Sequence, residues 1–175
     1  MDKTRSIDFD KLTLKDALDL ATLVEEEAKD RYEEFGDQME LHHNPDAARF
    51  FRFMLQIETK HESRLADRRK ALFGDEPRTV RREMIFDIEA PEYDEARATM
   101  TVRQALDVSL RAERKAFAFF DAALAKVTDS GIRKLFAELR EEEREHEQLV
   151  LKEIAKLPPD SKLTLDDVED DPNAL

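Results

Sequence analysis

The chain reads as an all-α protein, a four-helix bundle made of two helical hairpins joined by one long crossover. Three observations carry that reading. Apolar residues recur at alternating steps of three and four in four separate stretches, the spacing of a helix face rather than of a strand. Only three Gly and six Pro occur in 175 residues, and 41% charged residues stand beside 41% hydrophobic ones, the composition of long helices with wet outer faces. The two halves of the chain also repeat each other, so whatever the first half builds the second builds again.

The size suits one domain with a real core. A net charge of -13 opposes nucleic-acid backbones and anionic lipid as partners and favours cations. With no Cys, disulfides, thiolate metal sites and thiol chemistry are excluded. Met1 to Asp10 is polar and carries no apolar signal core, and no run approaches the roughly 18 apolar residues of a membrane span. A cytoplasmic protein is the expectation.

The first helix starts at Thr13-Leu14-Lys15-Asp16, an N-cap residue with an acid three positions on. Its stripe is Leu14, Leu18, Ala21, Glu25, Ala28, Tyr32, Phe35 and Met39, with Glu25 the one acid in it. Glu26 and Glu27 fall off the stripe and read as solvent residues. Asn44-Pro45 opens the second helix, Asn as cap and Pro in the first turn. Its stripe is Phe51, Met54, Glu58, His61, Leu65 and Leu72, interrupted by Arg68, and Gly74 stops it.

Residues 74–100 carry no sustained periodicity and form the crossover, long enough to run the length of a helix. Within it Met84, Ile85, Phe86 and Ile88 are candidates to pack on the bundle as a strap. Thr101 to Gln104 is a full capping box for the third helix, whose stripe is Val102, Leu106, Ser109, Glu113, Ala116, Phe120, Ala123 and Val127. Thr128-Asp129-Ser130-Gly131 makes the turn. The fourth stripe is Ile132, Phe136, Leu139, Glu143, His146 and Val150, ended by Pro158-Pro159. The domain is thus expected over residues 1–157, followed by an acidic tail over 158–175 that lacks the order of a calcium loop.

At an offset of 88, Thr13, Ala17, Leu18, Asp19, Glu25 and Ala28 match Thr101, Ala105, Leu106, Asp107, Glu113 and Ala116. At an offset of 85, Phe51, Glu58, His61 and Glu62 match Phe136, Glu143, His146 and Glu147. Each hairpin therefore supplies one lone Glu and one Glu-x-x-His. A residue and its neighbour three positions on share a helix face. Glu25, Glu58, His61, Glu113, Glu143 and His146 are accordingly expected to converge inside the bundle.

Four carboxylates in an apolar core cost several kcal/mol each unless neutralised. Two divalent cations balance their charge. Carboxylate and imidazole donors without thiolate suit iron or manganese, and zinc fits without adding redox chemistry. Two such metals about 3.5–4 Å apart exchange two electrons together, which suits O2 or peroxide reduction. With 22 Glu and four His, about half of one Glu-x-x-His is expected by chance, and three occur. The third, Glu40 to His43, abuts the Asn44-Pro45 turn, has no counterpart in the other half, and reads as the chance match.

Taken singly, these residues have plainer readings. A lone stripe Glu is usually a boundary residue reaching water, and a lone stripe His is usually a hydrogen-bonded core residue. Glu62 and Glu147 read as solvated neighbours of the histidines, and the run Arg140 to Glu147 as mostly a charged outer face. The phenylalanines Phe50, Phe51, Phe53, Phe117, Phe119 and Phe120 read as core or dimer interface. The coincidence of six residues at repeat-related positions is what outweighs the plainer set.

The ligand set resembles that of the ferritin-like di-iron carboxylate proteins, over nearly all of residues 13–157. Within that superfamily the chain looks most like a rubrerythrin, through Glu-x-x-Ala-x-x-x-Tyr at Glu25–Tyr32, Glu-x-x-Ala-x-x-Phe-Phe at Glu113–Phe120, and the two Glu-x-x-His motifs. The resemblance implies two iron ions per site, peroxide or O2 reduction or Fe(II) oxidation, and a homodimer. It also implies roles: Glu58 and Glu143 bridging or chelating, Glu25 and Glu113 terminal, His61 and His146 each capping one iron. Tyr32, two turns from Glu25, is the candidate catalytic residue, as hydrogen-bond donor to the cluster or electron relay.

Two departures bear on function. The chain lacks the four Cys of a rubredoxin module, so an external electron donor is expected. Ala116 stands where rubrerythrins tend to carry a further Glu, and the remaining six ligands are also the bacterioferritin set, which adds weight to ferroxidase chemistry. No Met is an obvious haem ligand, Met54 and Met84 being the mid-chain candidates. An iron-binding or storage module without fast turnover, and a metal-free scaffold, are the rival readings.

Overall fold

The computed structural model describes residues 7–85, 88, 90–91 and 96–158. Phe86 of the expected strap and the tail from residue 159 lie outside the described residues. Four α-helices run in chain order, α1 Leu14–Leu41, α2 Pro45–Phe73, α3 Val102–Leu124 and α4 Ser130–Lys156, and no strand occurs among the described residues. The all-α, ferritin-like four-helix bundle expected from the sequence is the observed architecture.

Local chemistry sets the helix starts. Thr13 and Thr101 both form complete capping boxes, each with its hydroxyl taking the backbone N–H three residues on while the side chain at that position takes the cap's own N–H. Asn44 caps α2 ahead of Pro45, and Asp129 caps α4 by accepting from the Ile132 N–H at 2.9 Å. At Gly74 the backbone turns to φ +58°, a conformation open to glycine, and α2 stops there. Two expectations are corrected. Gly131 is inside α4, one residue past its start, because Asp129 and not Gly131 makes the turn. Leu72 is exposed, since the last turn of α2 sets Phe73 rather than Leu72 against the core.

Each hairpin packs its helices antiparallel through a short connection. Across the hairpins, Arg64 and Arg68 of α2 meet Glu142 and Glu138 of α4, a reversed register that sets these two helices antiparallel as well. Two apolar clusters fill the interior. One gathers Leu18, Leu20, Phe120, Phe136 and Leu139 with Val80, Ile85 and Ile88 of the crossover. The other gathers Tyr32, Phe35, Phe51, Met54, Leu106 and Val150. Every helix passes from one cluster to the other at its inward acid, so the acids stand in one layer between two apolar caps.

The crossover runs along α1 and is pinned to it at successive points. Near its start the Asp19 carboxylate, buried, accepts from Lys15 at 2.9 Å, Arg69 at 2.8 Å and the Thr79 N–H at 3.1 Å. Arg78 grips Glu26 with two bonds, of 2.7 and 2.8 Å, and Arg82 reaches Asp30 at 2.8 Å. The buried Arg31 donates to the Pro91 carbonyl, Gln38 to that of Ala96, and Asn44 to that of Met100. The strap thus includes a short 3-10 turn, Arg82–Met84, with Ile85 and Ile88 buried against the bundle and Met84 partly so. Glu26, read as a solvent residue, is one of its anchors.

Candidate metal centre

All six inward residues lie on the stripes that bury the apolar clusters, and the structure brings them together. Glu25, Glu58, Glu113 and Glu143 are at most 1% exposed, and His146 is buried. Donor atoms of Glu25, Glu58 and His61 lie within 4.8 Å of one another, as do those of Glu58, Glu113 and His146. The two triads share Glu58. Glu143 joins the second, its Oε2 standing 3.6 Å from His146 Nδ1. The two imidazoles face each other with ring centres 4.7 Å apart.

The two ends of the cluster differ. Glu113 is held on both oxygens: Tyr32 donates its hydroxyl to Oε1 at 3.1 Å, and Oε2 lies 3.0 Å from His146 Nδ1. Tyr32 is fully buried and stacked on Phe51 with ring centres 6.2 Å apart. In the repeat, Phe120 occupies the position of Tyr32, so Glu25 has no matching phenol. His61 is half-buried and its Nδ1 lies 3.5 Å from Glu142 Oε2. The sequence reading missed Glu142 by assigning its run to an outer face. Its place beside the Glu-x-x-His motif is the signal that was available.

The electrostatics record a site short of positive charge. Burial pushes Glu25 up to about 7, a hydrogen bond with Glu58 pulling the other way. Burial likewise raises Glu143 well above the usual carboxylate range. His61 is driven down to about 4 by burial and by the neighbouring His146. At His146 burial acts downward, but the hydrogen bond with Glu113 and the nearby Glu143 carboxylate prevail and carry it up to about 12. Glu25 Oε2, Glu143 Oε2 and His61 Nδ1 are buried without a hydrogen-bond partner among the described residues. Buried polar atoms are nearly always satisfied. Orphaned oxygens and an imidazole nitrogen in one layer are the donor set that hard and borderline divalent metals take.

The other polar residues around the centre have partners. Glu62 bonds Lys29 at 3.0 Å and Glu147 bonds Arg114 at 2.7 Å, both half-buried rather than freely solvated. The third Glu-x-x-His does no comparable work, since Glu40 pairs with Arg52 and His43 sits in the turn at φ +58°. Of the phenylalanines, Phe50, Phe51 and Phe120 are buried and Phe53 is exposed. Among the described residues no helix is long and apolar enough to cross a membrane.

Comparison with known proteins agrees with this geometry. The Rubrerythrin family model matches residues 16–154. The crystal structure of an uncharacterized conserved protein from Magnetospirillum magnetotacticum MS-1 is similar, with 29% sequence identity and a TM-score of 0.67, over 84% of this chain and 97% of that one. No curated protein matches the chain. The match spans all four helices and every residue of the inward layer, and the chain belongs to the rubrerythrin family of ferritin-like di-iron domains.

Proposed function

We propose that the chain is a di-iron carboxylate oxidoreductase that reduces hydrogen peroxide or O2, oxidises Fe(II), or does both. The observation that carries this reading is the pair of donor triads joined through Glu58. Glu25, Glu58 and His61 would hold one ion and Glu113, Glu143 and His146 the other, with Glu58 shared between the two donor triads. When bound, a pair of iron ions supplies two electrons to one oxidant, and manganese or zinc are substitutes of lesser or no redox use.

The protein's own groups do the rest. Burial raises Glu25 and Glu143 and the Glu113 bond raises His146, while metal ligands must be deprotonated, so metal uptake is expected to release protons. Tyr32 holds Glu113 by a hydrogen bond and is a phenol able to pass an electron or proton into the layer. The apolar clusters on both sides exclude water from the reacting volume. We assign residues 1–157 to this unit and 158–175 to an appended acidic tail, and infer an external electron donor, a homodimer and a cytoplasmic setting.

Anaerobic Fe(II) loading followed by metal analysis tests the site, with two ions per chain expected and fewer than one favouring a scaffold without metal. Stopped-flow mixing of the loaded protein with peroxide and with O2 tests the activity. A rapid two-electron phase is expected with at least one of them, and its absence with both would leave iron storage as the better reading.

A further inference from the structure

The metal site proposed above is closed nearly everywhere. Among its six residues only His61 keeps appreciable contact with solvent, 17% of its side chain against 7% or less for the others. The Glu142 oxygen that stands 3.5 Å from His61 Nδ1 also accepts from Arg64 Nη2, whose side chain is 55% exposed. One turn away Arg68 donates to Glu138 at 2.8 Å. Between these two ion pairs lies a cavity of about 210 Å3 with Leu65 and Leu139 in its wall.

We propose that this gap between α2 and α4 is the passage by which a divalent cation reaches the centre. Glu142 takes the partly hydrated cation and hands it to His61, and Arg64 closes the mouth. The inference rests on the metal-binding reading. A half-buried carboxylate offers a cation oxygen ligands while water still reaches it, which eases stepwise loss of the hydration shell. An exposed ion pair is worth about 0–1 kcal/mol, so the Arg64 lid opens on thermal motion. While closed it sets a positive charge at the opening of a negatively charged chain, and its release exposes Glu142 to incoming cations.

The repeat supports a one-sided device. At the offset of 85 that superimposes the two Glu-x-x-His motifs, Glu142 corresponds to Ile57 and Arg64 to Leu149. Both counterparts are apolar and half-buried, so the corresponding positions of the repeat carry neither the carboxylate nor the lid. Tyr32, sealed against Phe51, occupies the remaining flank near Glu113.

The test is the rate of metal uptake. Metal-depleted full-length protein is mixed anaerobically with Co(II) alone in a stopped-flow instrument, and the ligand-field absorbance is followed at low and high salt. Glu142→Gln is expected to slow the second-order uptake about tenfold at low salt, and Arg64→Gln to speed it by about threefold. Both should keep the wild-type final stoichiometry and helix content. The double variant should follow Glu142→Gln. Variants that load at the wild-type rate overturn the passage while leaving the centre intact. A Glu142→Gln protein with lowered affinity but an unchanged uptake rate also overturns it, making Glu142 a residue that merely orients His61. Wild-type protein that takes up no Co(II) overturns the metal-binding reading and the passage with it.

Discussion

Glu58 is the residue on which the centre turns, since it alone belongs to both donor triads. Glu58→Ala is therefore expected to bring bound metal below one ion per chain, whereas His146→Ala should spare part of the occupancy at the Glu25 end. Metal analysis after anaerobic loading, with far-UV circular dichroism to show intact helices, checks both. Tyr32→Phe removes one hydrogen bond to Glu113 and should lower stability by about 1 kcal/mol. It should leave metal content unchanged while slowing the oxidant reaction, and equal rates in the two proteins would deny Tyr32 a part beyond packing. Glu25→Gln removes a buried carboxylate that lacks a partner on Oε2. In chelator it should stabilise the protein by about 1–2 kcal/mol, at the expense of metal binding, as measured by urea unfolding.

The crossover shows how an element without periodicity is ordered by its anchors. Asp19 is the strongest of them, with Lys15, Arg69 and the Thr79 backbone all on one buried carboxylate. Asp19→Ala leaves those donors facing a void and should cost about 2–4 kcal/mol. Burial would raise this carboxyl, yet the bonds from Arg69 and Lys15 hold it below its ordinary value of 3.8. A lowered carboxylate contributes stability that is present above the unfolded value and lost as pH falls through the folded one. Urea midpoints measured between pH 6 and pH 2.5 should therefore fall at the acid end. The fall should be shallower in Asp19→Asn, which is weaker throughout but has no proton to take up there.

The bundle as one cooperative unit gains from any ion that only its folded form can hold. A ligand at about 100 times its dissociation constant adds about 2.7 kcal/mol. For a domain near this size, that is a rise in Tm of about 5–10 °C. Calorimetry with and without Fe(II) under anaerobic conditions should show a shift of that order, and an equal shift with Mg(II), which prefers oxygen and water to imidazole, would argue against the donor set.

The four helices, their caps and the six inward residues could be read from the chain because all depend on local periodicity. A face recurring every three to four residues is settled within a few turns, and an acid on that face must go inward with its neighbours. The repeat then implied convergence before any contact was known. Leu72 escaped this logic because the inward face at the end of α2 falls on Phe73 instead. Glu142 escaped it because no pattern within α4 says that α2 will place His61 and Arg64 beside it. The preference of Tyr32 for Glu113 and the pinned path of the crossover are likewise matters of register between distant segments. Side chains far apart in the chain meet only after the helices have chosen their depth and rotation against one another, and that choice is made by packing, which local spacing does not encode.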